Sequence, residues 1–199
     1  VAFWAFTLFG ADPYLVIPVA LVLVFGLGAL IQRGLVQRVL DAHPLNQIIL
    51  LVGVSTLLMG LAQFFFSADP KSIHVSYETE VLSAFGLRFS IPRLIAFFAS
   101  ILISSLLYLF LHYTRTGKAI RAVSQSRDAA RLMGINVNFI YYLTFGIGAG
   151  ITAVAGVLLA PNHTMIPTMG QGYSVIAFVV VVLGTMGNFF GAFLGGLII

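Results

Sequence analysis

Few residues in this 199-residue sequence could do acid–base, nucleophilic or metal chemistry, and most of them are scattered. His43, His74, His112 and His163 fall in loops and at the ends of apolar runs, without the spacing of metal ligands. There is no cysteine, so thiolate ligands, thiol nucleophiles and a disulfide framework are all excluded. Gly117-Lys118 is followed by Ala119 and lacks the upstream glycine, so the phosphate-cradling G-x-x-x-x-G-K-[ST] loop is not formed. ATP hydrolysis by this chain is therefore not expected, and no bound cofactor is expected either. Asn162-His163-Thr164 matches a glycosylation acceptor only formally. The 18 Phe residues fit lipid contact and packing better than base stacking, so no nucleic-acid partner is expected. One dense cluster of charge remains: Arg115 to Asn138, RTGKAIRAVSQSRDAARLMGINVN, with five basic residues and Asp128.

That stretch carries a full set of helix punctuation. Ser126 can cap an N-terminus, Asp128 sits in the first turn where the helix dipole favours an anion, and Gly134 can take the left-handed position that ends a helix. Ala129, Leu132 and Met133 share one face at i, i+3 and i+4. The result is a helix of about two turns, too short to persist in water by itself. Two readings follow: a basic loop resting on anionic headgroups, or a short knob that docks into a partner and transmits its motion.

The elements that must hold this loop are membrane helices. With 60% hydrophobic and 8% charged residues and a mean hydropathy of +1.06, no single soluble core could hide the apolar surface. A water-soluble enzyme is excluded. Apolar runs from about Tyr14 to Ile31, Leu45 to Phe66, Leu94 to Tyr113 and Phe139 to Ala160 are each long enough to cross about 30 Å of hydrocarbon. None contains an acid, Lys or Arg, which argues against a proton-coupled pump built on these helices. The stretch from about Ser174 to Ile199 reads either as one tilted helix or as a helix broken near Gly187, where Gly184, Gly187 and Asn188 are poor helix formers. The opening VAFWAFTLFGA and the closing LGGLII read as membrane helices cut short, in a longer protein without a signal peptide here. The expected fold is an all-α integral membrane protein: a polytopic bundle of about five to six spans with a broken or re-entrant segment near its C-terminal end.

Loop charge sets the orientation. The loops after the first and third spans together hold seven basic and two acidic residues, whereas loop 67–93 balances Lys71, Arg88 and Arg93 against Asp69, Glu78 and Glu80. The positive-inside rule then puts the two basic loops in the cytoplasm and 67–93 outside, where YETEVL and LRFSIP flank Gly86 as a small hairpin or cap. Gly146 and Gly150, and Gly187, Gly191 and Gly195, recur at spacing four, the interval that lets helix backbones approach; packing within the bundle is expected, with a subunit interface as the alternative.

The run TGKAIRAVSQSRDAARLMGINVNFIYYLTFGIGAGITAVAGVLLA, then IPTMGQGYSVIAFVVVVLGTMGNFFGAFLGG, resembles permease subunits of branched-chain amino acid ABC transporters. The match is strong over about residues 115–199 and looser before them. It rests on separated elements in order: G-K-A-x-R-A, D-x-A-A-x-x-x-G-I-N, a Gly-rich helix, P-T-M-G and G-A-x-x-G-G. The resemblance implies one permease domain over 1–199, incomplete, in a bacterial inner membrane. It implies a second permease, two ATP-binding subunits that use the ATP, and a periplasmic substrate-binding protein as partners. It also implies that loop 114–138 couples to the ATPases through Gly117, Lys118, Arg121, Ala122, Gln125, Asp128, Ala130 and Gly134. Gly117 would turn the third span into the loop, Arg121 and Asp128 would hold it through charge-assisted bonds, and the alanines would leave room for docking. The family's Asn-Phe-Ala-His-Gly-type motif before these spans is absent. Import of branched-chain amino acids is expected, with urea or short-amide import as the alternative and a stand-alone carrier or channel behind both. The segment PNHTMIPTMGQG cannot be continuous helix, and Thr164, Pro167, Thr168 and Gly170, with Asn188, are the expected path-lining residues.

Overall fold

The computed structural model describes residues 13–40, 42–66, 69–70, 81–84, 87–161, 163–184 and 189–199. The chain divides into two compact units, Val1–Thr56 with Lys71–Thr164, and Leu57–Pro70 with Met165–Ile199. Gly187 and Asn188, together with Lys71, Glu78 and Glu80 of the acid-containing loop, lie outside the described residues.

Eight α-helices occur among the described residues. A 3-10 turn at Pro13–Val16 leads into α1 (Ile17–Gly34), whose Pro18 lies in the first turn, where a missing N–H costs no intrahelical bond. A second 3-10 turn, Val36–Val39, precedes α2 (Pro44–Phe66). Strands β1 (Val81–Ala84) and β2 (Leu87–Ser90) pair antiparallel, Val81 opposite Ser90 and Ala84 opposite Leu87, forming a hairpin on the two sides of Gly86. Next come α3 (Ile91–Tyr113), α4 (Arg115–Gln125), α5 (Arg127–Leu132) and α6 (Val137–Leu159). In the second unit are α7 (Met169–Leu183) and α8 (Phe189–Ile198).

Four segments are long and apolar enough to cross a membrane: Tyr14–Val39, Leu45–Phe66, Ile91–Tyr113 and Val137–Leu159. Their outward Leu, Ile, Val and Phe side chains are largely exposed, as on α2, where none of the apolar window is buried. In hydrocarbon such exposure costs nothing, and helix association must come from close packing. Apart from the short β1–β2 hairpin, this is an α-helical, multi-pass membrane protein.

The packing is clearest between α1 and α6, which run antiparallel. Leu21 lies against Gly150, Phe25 against Gly146 and Gly28 against Ala149. A methyl added to Gly28 would sit 2.6 Å from the Ala149 Cβ, and one added to Gly146 would sit 2.9 Å from the Phe25 ring. The glycine face of α6 therefore receives a phenylalanine ring from α1.

In the second unit the apolar stretch is broken. Helix α7 starts five residues before the expected Ser174 and stops at Leu183, and α8 folds back along it. Gly191 lies on the backbone of Gly184, and a methyl on Gly195 would approach the Val180 carbonyl to 3.1 Å. At about 1.5 Å per residue, neither piece alone reaches across the hydrocarbon.

Candidate functional site

The residues between α3 and α6 form a built structure. Thr114 is the single extended residue between α3 and α4, with its Oγ1 donating to the Phe110 carbonyl at 2.6 Å and accepting from the Gly117 N–H at 2.9 Å. Gly117 is buried against the end of α3: an added Cβ would strike the Phe110 carbonyl oxygen and lie 2.6 Å from the Leu111 Cα. The tight fold-back of α4 onto α3 requires glycine here.

Helix α4 is amphipathic, with Val123 buried and Ala119 and Ile120 half-buried, while Arg115, Lys118, Arg121, Ser124 and Gln125 are exposed. The sequence reading placed no helix here, although Thr114 at cap distance from Gly117 and the apolar 119, 120, 123 spacing carry the signal. Ser126 forms a one-residue elbow. Its N–H closes α4 on the Ala122 carbonyl, and its Oγ accepts from the Ala129 N–H at 3.3 Å to open α5.

The end of α5 is a left-handed cap. Gly134 has φ of +78°, its N–H reaches the Arg131 carbonyl at 3.0 Å, and the Ile135 N–H reaches the Ala130 carbonyl at 3.0 Å. This double bond pattern, with Ile135 packed on the cluster that holds Ala130, is the arrangement that closes helices on glycine. Asn136 then caps α6, its Oδ1 accepting from the Phe139 N–H at 3.1 Å. Each such cap stabilises its helix by about 1 kcal/mol.

Val123, Ala130, Val137 and Ile140 are buried together, tying α4, α5 and α6 into one block. The block is also tied to the connector after α1. Gln37 donates from Nε2 to Asn138 Oδ1 at 2.7 Å, and Arg127 donates to the Leu40 carbonyl at 3.4 Å. The two basic connectors thus meet at one end of the first unit.

Of the expected loop residues, Ala130 is 3% exposed and faces the cluster, so it supports α5 from within and offers no docking surface. Gly117 sets the fold-back, Ala122 is half-buried, and Lys118, Gln125 and Gly134 lie exposed on the block. Arg121 and Asp128, expected to hold the loop through charge-assisted bonds, are also exposed. Asp128 acts where it stands, in the first turn of α5. The cation that does bind across the block is Arg127, which also lies over the Tyr141 ring, 5.3 Å from its centroid. Sequence reasoning missed it because its partners, Leu40 and Tyr141, are distant in the chain.

The outer surface of α5 is apolar at its tip. Leu132 is 88% and Met133 81% exposed, beside the exposed Arg131. Such a pair at the end of a rigid two-turn helix can fill a groove, and the basic residues around it suit an acidic rim.

Among the described residues, one cavity lies at the block and another among the spans. One, of about 460 Å³, opens at the elbow between Ile120, Ser124, Gln125, Arg127, Tyr141 and Thr144. The other, of about 520 Å³, lies between α1, α3 and α6 and is lined only by apolar residues, among them Leu21, Leu102, Leu106, Ile147 and Val154. It has no group to hold an ammonium or a carboxylate.

The expected path residues fall in both units. Thr164 ends the first unit, and Pro167, Thr168 and Gly170 stand in the second, at the start of α7. Thr164, Thr168 and Gly170 are exposed; the Thr168 side chain makes no cap bond, and the Gly170 carbonyl accepts from Ser174 at 2.8 Å.

A family model described as "branched-chain amino acid transport system / permease component" matches residues 1–199. Among curated proteins, the chain is 32% identical over 177 residues to the high-affinity branched-chain amino acid transport system permease protein BraD of Pseudomonas aeruginosa, covering 86% of this chain and 58% of the relative. It is 30% identical over 185 residues to the corresponding LivH of Escherichia coli, covering 90% and 60%. It is also 28% identical over 191 residues to the ribose import permease protein RbsC of Escherichia coli, covering 91% and 58%. The chain thus spans about 60% of the length of the first two of these relatives. No solved structure matches it.

Proposed function

The chain belongs to the permease-component family of branched-chain amino acid transport systems, and from that premise we propose that it is the membrane core of an ATP-driven importer of branched-chain amino acids. In this reading it lies in a bacterial inner membrane beside a second permease. Two cytoplasmic ATP-binding subunits use the ATP, and a periplasmic protein delivers the substrate. The α4–α5 block faces the cytoplasm, in keeping with the charge of the two connectors that meet there. The β1–β2 hairpin lies outside.

The observation that carries the proposal is the exposed Leu132–Met133 tip on a helix anchored from below by Val123, Ala130, Val137 and Ile140. An exposed apolar tip on so rigid a mount fits a groove on an ATP-binding subunit. Motion of that groove would be passed from α5 to α4 and α6 through their shared cluster. The substrate path carries little binding energy of its own, as an apolar cavity without polar partners suggests, and the separate binding protein supplies affinity.

The test uses the full-length permease with its partner subunits in liposomes. Burying one Leu or Met side chain is worth about 1.5–3 kcal/mol, so changing both Leu132 and Met133 to Asp should weaken ATPase association by roughly 100-fold or more and abolish ATP-driven leucine uptake. Full uptake by the double variant would overturn the docking role. Competition of leucine uptake by isoleucine and valine, but not by urea or ribose, is the expected substrate pattern. Competition by urea alone would move the protein to amide import.

A further inference from the structure

The Arg127 side chain reaches both a neighbouring helix and the connector after α1. It opens α5 directly after the Ser126 elbow, lies 5.3 Å from the Tyr141 ring centroid on α6, and donates to the Leu40 carbonyl at 3.4 Å. That carbonyl follows the 3-10 turn Val36–Val39 at the end of α1 and precedes α2. It accepts a second bond, from Gln47 Nε2 in the opening of α2, at 3.1 Å; Gln47 also reaches the Ala42 carbonyl at 3.5 Å. A carbonyl oxygen has two lone pairs. Here one faces the docking block and the other faces α2.

The neighbouring link is different in kind. Gln37 and Asn138 join the same connector to the start of α6 through a neutral bond of 2.7 Å. Because α1 is already locked to α6 along Gly28, Gly146 and Gly150, that bond ties together parts that move as one. The Arg127–Leu40–Gln47 chain instead runs from the elbow to the first turns of α2.

We propose that Arg127 is a positioning residue that passes displacement of the α4–α5 elbow to α2 through the Leu40 carbonyl. The guanidinium reaches the carbonyl at 3.4 Å, and its place over the Tyr141 face aims the side chain at the connector. Removing the guanidinium leaves the docking tip and its cluster in place but takes away the side-chain link from the elbow to the Leu40 carbonyl. This role rests on the docking function of α5 proposed above.

The experiment measures leucine taken up per ATP hydrolysed by the full-length permease complex in liposomes, with ATPase co-purification as the assembly readout. Arg127→Gln is expected to retain assembly and ATP hydrolysis while uptake per ATP falls by tenfold or more. Arg127→Lys, which can still donate to the carbonyl, is expected to recover part of the ratio, and Gln37→Ala is expected to leave it unchanged. A merely structural arginine would lower assembly, hydrolysis and uptake in proportion, and an unchanged ratio in Arg127→Gln would overturn the proposal. Failure of the docking reading shows separately, as normal ATPase co-purification by the Leu132→Asp, Met133→Asp variant.

Discussion

Gly117→Ala is the substitution whose sign depends most directly on the fold. In an open helix, alanine for glycine stabilises by about 0.8–1.0 kcal/mol through helix propensity. At Gly117 the new Cβ meets backbone: it overlaps the Phe110 carbonyl oxygen and lies 2.6 Å from both the Cα and the carbonyl oxygen of Leu111. Ordinary carbon contacts lie at about 3.5–4 Å, so α4 must move off the end of α3 by roughly 1 Å. Overpacking costs about 1–3 kcal/mol, and backbone neighbours that cannot rotate away put this case at the upper end. The net is a destabilisation of about 2 kcal/mol. Gly148 on α6 supplies the internal control, since nothing lies within 4 Å of a Cβ placed there. Gly148→Ala should be neutral or stabilising by up to about 1 kcal/mol. Thermal unfolding of the purified full-length protein in detergent, followed by loss of its monodisperse elution peak, compares the two. Equal midpoints for Gly117→Ala and Gly148→Ala would refute the tight α3–α4 turn.

Further substitutions test other joints. Gly134→Ala puts a side chain at φ of +78° and should destabilise the α5 end by about 1–2 kcal/mol, with Gly134→Asn costing less; limited proteolysis after α5 reads the difference. Gly28→Ala should loosen the α1–α6 contact, because its Cβ falls 2.6 Å from that of Ala149. Adding Ala149→Gly to the same chain should recover most of the lost thermal stability, and a failure to recover would show that these two positions do not meet.

The spans were legible because hydrophobic length is a one-dimensional signal: α2, α3 and α6 lie within three residues of the limits read from composition. Caps at Ser126 and Gly134 were legible for a similar reason, being local chemistry within a few residues. The break after α7 stayed open in the sequence, since whether Gly184 and Gly191 bend a helix or merely pack it depends on where α8 goes. The expectation that Arg121 and Asp128 hold the loop through charge-assisted bonds came with the family resemblance, and both side chains stand exposed. Ala130 was expected to leave room for docking, yet it is turned inward, buried with Val123, Val137 and Ile140. Arg127 joins residues 87 positions apart, and Gln37 joins residues 101 apart, so neither link has a local signature.

These 199 residues hold no cysteine, so a single cysteine introduced at Leu132 or Met133 provides a unique chemical handle within them. The decisive measurement is site-directed cross-linking of such variants in the full-length permease, in membranes that also contain the ATP-binding subunits. Cysteine at 132 or 133 should cross-link to an ATP-binding subunit, whereas cysteine at the buried Ala130 should not. Absence of cross-linking from both tip positions, in complexes that still import leucine, would contradict the docking role of α5.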